Sequence, residues 1–324
     1  MRMSRFKKLS IFLMVALFAV ASSGCGFYSK VMTQKNLVDG AAAYNARKFD
    51  EAIERFERAV SYDPDLVSVE GNTAQLFLAR TLHSLFAGKR SDTAKAERAI
   101  QEYNKALPGF IAETKLAKEA LTASPDDEAV KKRYESNKGI AGSIVSAIGS
   151  LYENLQKEDE WKKWQEESAA NENLPETVRA NSYVALAAKN YTCANDITDQ
   201  APVKETVVED GSPVFKFKKP EEEDVFDKLK KCVENGTTYI NKAVEFNAES
   251  DSAWSYKASL LLQKMRIAEM NGEADEKEKY KKESEEAKAK FEELAAKRRK
   301  DEEAAAKKKA EEIGGEAKDG SEDE

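Results

Sequence analysis

The chain offers few residues that could do chemistry. Its only histidine, His83, lies inside an apolar stretch from Leu76 to Phe86, with no Cys or Asp at ligand spacing beside it. This argues against histidine-based zinc sites and against triads built around histidine. Gly139 and Gly142 lack the spacing and the Lys-Ser/Thr of a phosphate-binding loop. Carboxylates are abundant, but no pair stands out for acid–base work. We therefore expect a protein that is not an enzyme, with no catalytic residue, metal, cofactor or small-molecule substrate.

The N-terminus orders basic, apolar and small residues as an export signal does. Four cations precede a 13-residue apolar run from Leu9 to Ala21, which is too short for a comfortable membrane span. The run is followed by Ser23-Gly24-Cys25, which resembles a bacterial lipoprotein processing site. The resemblance implies removal of residues 1–24 and acylation of Cys25, with residues 25–32 as an anchor linker. Ordinary cleavage after Ala21 is the alternative, and it would leave Cys25 as a free thiol.

The lipoprotein resemblance also bears on location and on the other cysteines. Position 26 is Gly, whereas many Gram-negative lipoproteins retained in the inner membrane carry Asp there. This favours the outer membrane, facing the periplasm. In an oxidising periplasm Cys193 and Cys232 can form a disulfide. The alternative is two unpaired cysteines that pack as small hydrophobic residues.

The charge of the mature chain limits its partners. Without residues 1–24 it carries 48 Lys and Arg against 59 Asp and Glu, a net charge of −11. An acidic protein is a poor nucleic-acid binder and gains no general attraction to anionic headgroups. We therefore expect envelope proteins as partners, membrane contact through the lipid anchor, and no nucleic acid.

Small and large apolar residues fall at set offsets between positions 40 and 64. They are Gly40, Ala52, Phe56, Ala59 and Pro64. The pattern resembles a tetratricopeptide (TPR) repeat, a 34-residue helix–turn–helix unit. The resemblance implies that Gly40 is the small position where the second helix comes close, that Phe56 is the large knob between two alanines, and that Pro64 stops the helix.

A second match to the TPR pattern lies near the other end, at Ala243 and Trp254. Between the two matches, residues 94–107 and 109–123 are predicted to be separate helices, with Asp126 and Asp127 as the N-cap candidates of the next. The predicted fold is all-α, a TPR-like helical-hairpin solenoid of about five helix pairs over residues 33–272.

Two segments depart from the predicted repeats. Residues 194–224 contain Asp210-Gly211 between β-branched and aromatic residues, which predicts a small β-hairpin insertion. It is either a finger that contacts a partner or a decorated loop closed by the two cysteines. The contact residues of such a finger would be Val208, Phe215 and Phe217. Residues 273–312 form a long charged helix, a solvated extension or a coiled-coil arm, and residues 313–324 an acidic disordered tail.

If the TPR resemblance holds, partners bind on the concave face that the first helices line. The positions concerned are Gln34, Leu37, Ala41, Tyr44 and Asn45 near the start, and Ser252, Ser255, Ser259, Leu262 and Gln263 near the end. Repeats that grip a C-terminal carboxylate carry Lys and Asn where this chain has Leu37 and Ala41. The face therefore suits an extended peptide or a partner helix. The alternative is that these side chains only pack between helices.

Two functions remain open at this stage. One is a non-catalytic envelope lipoprotein that acts as a protein–protein interaction scaffold. The other is a structural envelope protein that links membrane to wall or forms oligomers, without a specific peptide ligand. Fold-level resemblance does not choose between them.

Overall fold

The computed structural model describes the backbone of residues 26–319 and the side chains of residues 26–307. The expectations for residues 1–25, including the cleavage site and acylation of Cys25, lie outside the described residues. Within them the fold is mostly helical, with one two-stranded antiparallel sheet. The elements are α1 (26–45), α2 (Phe49–Ser61), α3 (Val69–Gly88), α4 (Thr93–Ala123), α5 (Glu128–Asn154), α6 (Glu158–Ala170), α7 (Glu176–Thr198), β1 (Lys204–Glu209), β2 (Ser212–Phe217), α8 (Glu223–Phe246), α9 (Asp251–Asn271) and α10 (Ala274–Asp319). No described helix combines the length and apolarity that crossing a bilayer requires.

The contacts divide the chain into two compact units, with the boundary after Trp161, inside α6. In the first unit α2 packs on α3, α3 on α4, and α4 on α5. In the second unit α7 packs on α8, α8 on α9, and α9 on α10. The helix pairs predicted as one array over residues 33–272 therefore fall into two units, each with its own succession of neighbouring helices.

Helices α1 and α2 form an antiparallel pair. The Oγ1 of Thr33 donates to the carbonyl of Ala59 (3.4 Å), and the rings of Tyr44 and Phe49 lie 5.7 Å apart near the connecting turn. A Cβ at Gly40 would lie 2.6 Å from Cε1 of Phe56, so only glycine allows this approach without a shift. The interlock that the sequence pattern predicts is present in this pair.

The remaining pattern residues of the first pair pack or turn as their types require. The side chains of Ala52, Phe56 and Ala59 are fully buried on α2. Pro64 lies exposed just after this helix, in the connection to α3. There the buried carboxylate of Asp63 accepts from the backbone N–H groups of Val67 (3.1 Å) and Ser68 (2.9 Å), which fixes the turn.

The described part of the segment expected to link the anchor to the fold is helical. α1 begins at residue 26 and so covers residues 26–32 of the linker predicted for 25–32. A contact to α2 holds this part of the helix. The ring of Tyr28 meets the ring of Tyr62 edge to face, with centroids 6.1 Å apart, and so ties the first turn to the end of α2.

The helix boundary expected at Pro108 is also absent, because α4 runs unbroken from Thr93 to Ala123. Proline lacks an N–H and disturbs the helical ladder around it. The side-chain amide of Asn72 on α3 adds hydrogen bonds to the backbone on both sides of Pro108. In the orientation that satisfies both groups, its nitrogen donates to the carbonyl of Ala106 (3.1 Å) and its oxygen accepts from the N–H of Phe110 (3.3 Å).

In the second unit, α7 and α8 are joined through Cys193 and Cys232, whose sulfur atoms are bonded at 2.03 Å. The bond encloses the insertion, in which β1 and β2 form the predicted antiparallel hairpin. Asp210 and Gly211 have φ angles of 50° and 78°, as the favoured two-residue hairpin turn requires. The prediction of a hairpin here is confirmed.

The buried contacts of α10 with α9 lie, among the described side chains, in the first half of α10. Ser284, Ala287 and Leu294 are buried, and the Oγ of Ser284 donates to the carbonyl of Ala258 (2.9 Å). From residue 297 to 307 every side chain is exposed. The helix continues to Asp319, past the end expected at residue 312, because Ala, Glu and Lys on both sides of the two glycines are strong helix formers. Residues 320–324 lie outside the described part.

Candidate interaction surface

The predicted surface of α1 is partly open in the first unit. Gln34 and Asn45 are exposed, whereas Leu37, Ala41 and Tyr44 are half-buried. The hydroxyl of Tyr44 lies 3.2 Å from the Oγ of Ser84 on α3. Tyr44 therefore packs between helices and also shows an edge to solvent, so both interpretations of this position hold in part.

Three residues of α3 that the sequence pattern did not indicate extend this surface. Phe77, Arg80 and Ser84 are half-buried and follow one another at helical spacing. The ring of Phe77 lies 6.0 Å from the ring of Tyr44, and it stacks on Phe56 at 5.6 Å. We name the set of Leu37, Ala41, Tyr44, Phe77, Arg80 and Ser84 the α1–α3 strip. The spacing i, i+3, i+7 of Phe77, Arg80 and Ser84 on α3 is the signal that could have identified them, because Leu37, Ala41 and Tyr44 follow a similar helical spacing on α1.

Arg80 gives the strip its charge. Its guanidinium carbon lies 5.5 Å above the centroid of the Phe77 ring, a cation–π arrangement. Within the described part of the chain, no carboxylate lies at salt-bridge distance from it. A half-buried guanidinium that lies over a phenylalanine ring and has no acidic partner is suited to bind a carboxylate.

Tyr103 lies near Arg80 and Tyr44 of the strip, and the only histidine of the sequence, His83, lies beside Tyr103. Burial raises the pKa of the Tyr103 phenol to about 12, an effect that Arg80 opposes and Tyr44 reinforces. The Nδ1 of His83 lies 3.4 Å from the Tyr103 hydroxyl, and the two rings meet edge to face. Burial, and then the charge of Arg90, lower the pKa of His83. The neutral imidazole is a packing residue in this setting.

The second predicted set, on α9, lies in the other unit. Ser255 and Ser259 are half-buried, with the Oγ of Ser259 donating to the carbonyl of Ser255 (3.0 Å), and Leu262 is exposed. Ser252 is exposed as well. Gln263 is buried and accepts from the Oγ1 of Thr198 (3.0 Å), so its assignment to the surface was wrong. Because Gln263 contacts α7, it fixes helix packing.

The repeat positions near Ser255 are packing residues. Ala243 is fully buried. The indole nitrogen of Trp254 donates to the carbonyl of Ala248 (2.8 Å), and its ring packs against the buried cluster of Ala258, Leu261 and Ala287. These residues support α9 and leave the neighbouring serines and Leu262 at the surface.

A cleft of about 350 Å³ lies beside Gly109 and Phe110 of α4 in the first unit. Val67, Val69 and Phe110 supply much of its apolar lining, and Arg133 pairs with Glu113 at 2.6 Å within it. That volume is at the lower end of ligand pockets. Its charged groups already satisfy one another, so what the cleft offers is apolar surface.

The three predicted contact residues of the hairpin differ in their exposure to solvent. Phe217 is buried, with the guanidinium carbon of Arg266 4.5 Å from its ring centroid. Val208 and Phe215 share the same face of the sheet but are exposed. Phe217 therefore attaches the hairpin to α9, and the outer part of that face remains open.

Within the described residues, no three His, Cys, Asp or Glu side chains come together as a metal site. The open features described above are surfaces, foremost the α1–α3 strip. The chain matches no protein-family model and no curated protein.

Proposed function

We propose that this protein is a non-catalytic scaffold of the bacterial cell envelope. TPR-like helix pairs would be held by a lipid anchor at Cys25 in the outer membrane, facing the periplasm. The α1–α3 strip would bind a segment of an envelope partner. The support for TPR-like packing is the antiparallel α1–α2 pair, with Gly40 against Phe56 and the buried Ala52 and Ala59.

The observation that carries the proposal is the setting of Arg80. A half-buried guanidinium on Phe77, next to Tyr44, combines apolar contact with an unpaired positive charge. A partner segment that places one carboxylate on Arg80 and apolar side chains along Leu37 and Ala41 satisfies both. A hydrogen bond to a charged group contributes about 1.5–3 kcal/mol, enough for at least tenfold in affinity.

A photocrosslinking residue in place of Leu37 tests the strip in living cells. The expected product is one envelope protein in near-stoichiometric yield, identified by mass spectrometry. Leu116 on α4 is the control position, because it is a solvent-accessible leucine of the first unit outside the strip. A crosslink pattern that is the same at both positions would contradict the proposal.

The charge is tested separately with Arg80→Ala. Arg90 near the end of α3 is the matched control, since its guanidinium also lies over a ring, 5.0 Å from the centroid of Phe86. We expect Arg80→Ala to weaken the purified complex at least tenfold and Arg90→Ala to leave it within about twofold. Equal affinities for both variants would remove Arg80 from the binding surface.

One observation favours the second candidate, a structural envelope protein. The part of α10 beyond Leu294 carries exposed charged side chains over residues 297–307 and offers a long arm for self-association or wall contact. Truncation after Lys300 distinguishes the two functions. The scaffold keeps its crosslinked partner after this truncation, whereas a structural role through the arm loses its self-crosslinks or wall association.

A further inference from the structure

Helix α1 carries an apolar stripe that no described element covers. Phe27, Val31 and Val38 are 74%, 44% and 60% exposed. With about 100° per residue they fall within roughly 40° of one another on the helix. The buried side of the same helix points the opposite way. It consists of Thr33, Asn36, Gly40 and Ala43.

The charges around this stripe differ from those of the chain as a whole. Lys30 and Lys35 are exposed and flank the stripe on its two sides. The only acidic residue of α1 is Asp39, whose carboxylate lies 3.7 Å from the guanidinium of Arg55 on α2. A chain with a net charge of −7 thus presents, at this one helix, apolar side chains between two lysines and no free carboxylate.

This pattern is that of a helix lying in a membrane interface, with apolar side chains inserted and lysines at headgroup level. Position also points to lipid. Phe27 is two residues from Cys25, and because α1 is helical from residue 26, an anchor at Cys25 holds the stripe at the bilayer surface. We propose that the exposed face of α1, formed by Phe27, Val31 and Val38, docks on the lipid surface beside the anchor. This inference rests on the lipid anchor of the proposed function.

The test uses single thiols as depth probes in the full mature chain. With Cys25 acylated and Cys193 bonded to Cys232, a new cysteine is the only thiol available for an environment-sensitive fluorophore. Val31→Cys and Val38→Cys report the stripe. Val67→Cys is the matched control, an exposed valine of the first unit outside α1. The labelled proteins are reconstituted in vesicles of phosphatidylethanolamine and phosphatidylglycerol that contain spin-labelled lipid.

We expect blue-shifted emission and quenching by the spin-labelled lipid at positions 31 and 38, and neither at position 67. Probes at 31 and 38 that remain in water overturn the proposal. So does a blue shift that depends on protein concentration and is not quenched by lipid, because a second copy then covers the stripe.

Three separate measurements show whether the anchor, the partner or the membrane contact of the stripe has failed. Mass spectrometry of the N-terminal peptide reports acylation, and the photocrosslink at Leu37 reports the partner. For the unacylated Cys25→Ser chain, we expect weak binding to anionic vesicles, reduced at least about tenfold by Val31→Asp with Val38→Asp and unchanged by Val67→Asp. The proposal that the stripe docks on lipid is wrong if the unacylated chain does not bind vesicles. It is also wrong if Val67→Asp reduces vesicle binding as much as the double variant does. Both results hold whether or not Cys25 is acylated in cells.

Discussion

Gly40 and Gly139 are both helical glycines of the first unit, but their surroundings differ. A Cβ at Gly40 would meet the Phe56 ring at 2.6 Å, whereas a Cβ at Gly139 would meet nothing within 4 Å. Overpacking costs about 1–3 kcal/mol, and alanine gains about 1 kcal/mol over glycine inside a helix. We expect Gly40→Ala to lose about 1–2 kcal/mol of unfolding free energy and Gly139→Ala to gain up to about 1 kcal/mol, as measured by urea denaturation. Changes of equal sign would contradict the close approach.

His83 gives a pH dependence whose sign follows from its lowered pKa. The unfolded chain takes up a proton near the ordinary pKa of about 6.5, and the folded chain does so only at lower pH. The unfolded state therefore binds more protons in that window, and stability falls as the pH falls through it. We expect the loss between pH 7.5 and 5.5 to be larger in the wild type than in His83→Gln. Identical losses in urea titrations would show that burial of His83 does not act on stability.

At the scale of the element, Asn72 on α3 supports α4 beside Pro108. Removing its amide leaves the carbonyl of Ala106 and the N–H of Phe110 without their side-chain partner next to Pro108. An unsatisfied buried polar group costs about 1–3 kcal/mol. We expect Asn72→Ala to destabilise the first unit by that amount. Asn104 is the control, because its exposed side chain bonds only to the carbonyl of Ile100 on its own helix, and Asn104→Ala should cost less than about 0.5 kcal/mol.

The hairpin offers a second matched pair on one face of a sheet. Phe217 is 9% exposed and Phe215 is 59% exposed. Removal of a buried phenylalanine side chain costs about 3–5 kcal/mol where the site is well packed, and an exposed one contributes little. We expect Phe217→Ala to accelerate hydrogen exchange of the β1 and β2 amides and Phe215→Ala to leave it unchanged. Equal exchange in both variants would mean that the hairpin does not depend on its contact with α9.

Features set by neighbouring residues, or by a repeat pattern such as Gly40 against Phe56, could be predicted from the sequence. Features that depend on which single side chains of other helices come near could not. Asp210-Gly211 specifies its turn locally, and the carboxylate of Asp127 caps α5 by accepting from the N–H groups of Ala129 and Val130. The hydrogen bonds of Asn72 to the backbone of α4 come from another helix. Arg80 was missed for a related reason, since its unpaired state depends on which carboxylates the fold brings near it.

At the scale of the whole molecule, packing repeats one scheme in both units. A helix pair interlocks through a small residue, Gly40 against Phe56 in the first unit and Gly236 against Leu260 in the second, where a Cβ would lie 2.7 Å from a leucine methyl carbon. Two of the open surfaces that remain lie on α1 itself, as part of the α1–α3 strip and as its outer face with Phe27, Val31 and Val38. Binding a partner and contacting a membrane would therefore use different sides of α1.

The state of the three cysteines tests the proposed anchor and the proposed compartment together. Acylation of Cys25 and the bond between Cys193 and Cys232 together leave no free thiol. Cleavage after Ala21 would instead leave one, at Cys25. We expect alkylation of the denatured mature protein, counted by intact mass, to add no label without reductant and two after reduction. One label before reduction would support plain secretion, and two or more would show that the disulfide does not form in the cell, where an oxidising envelope should maintain it.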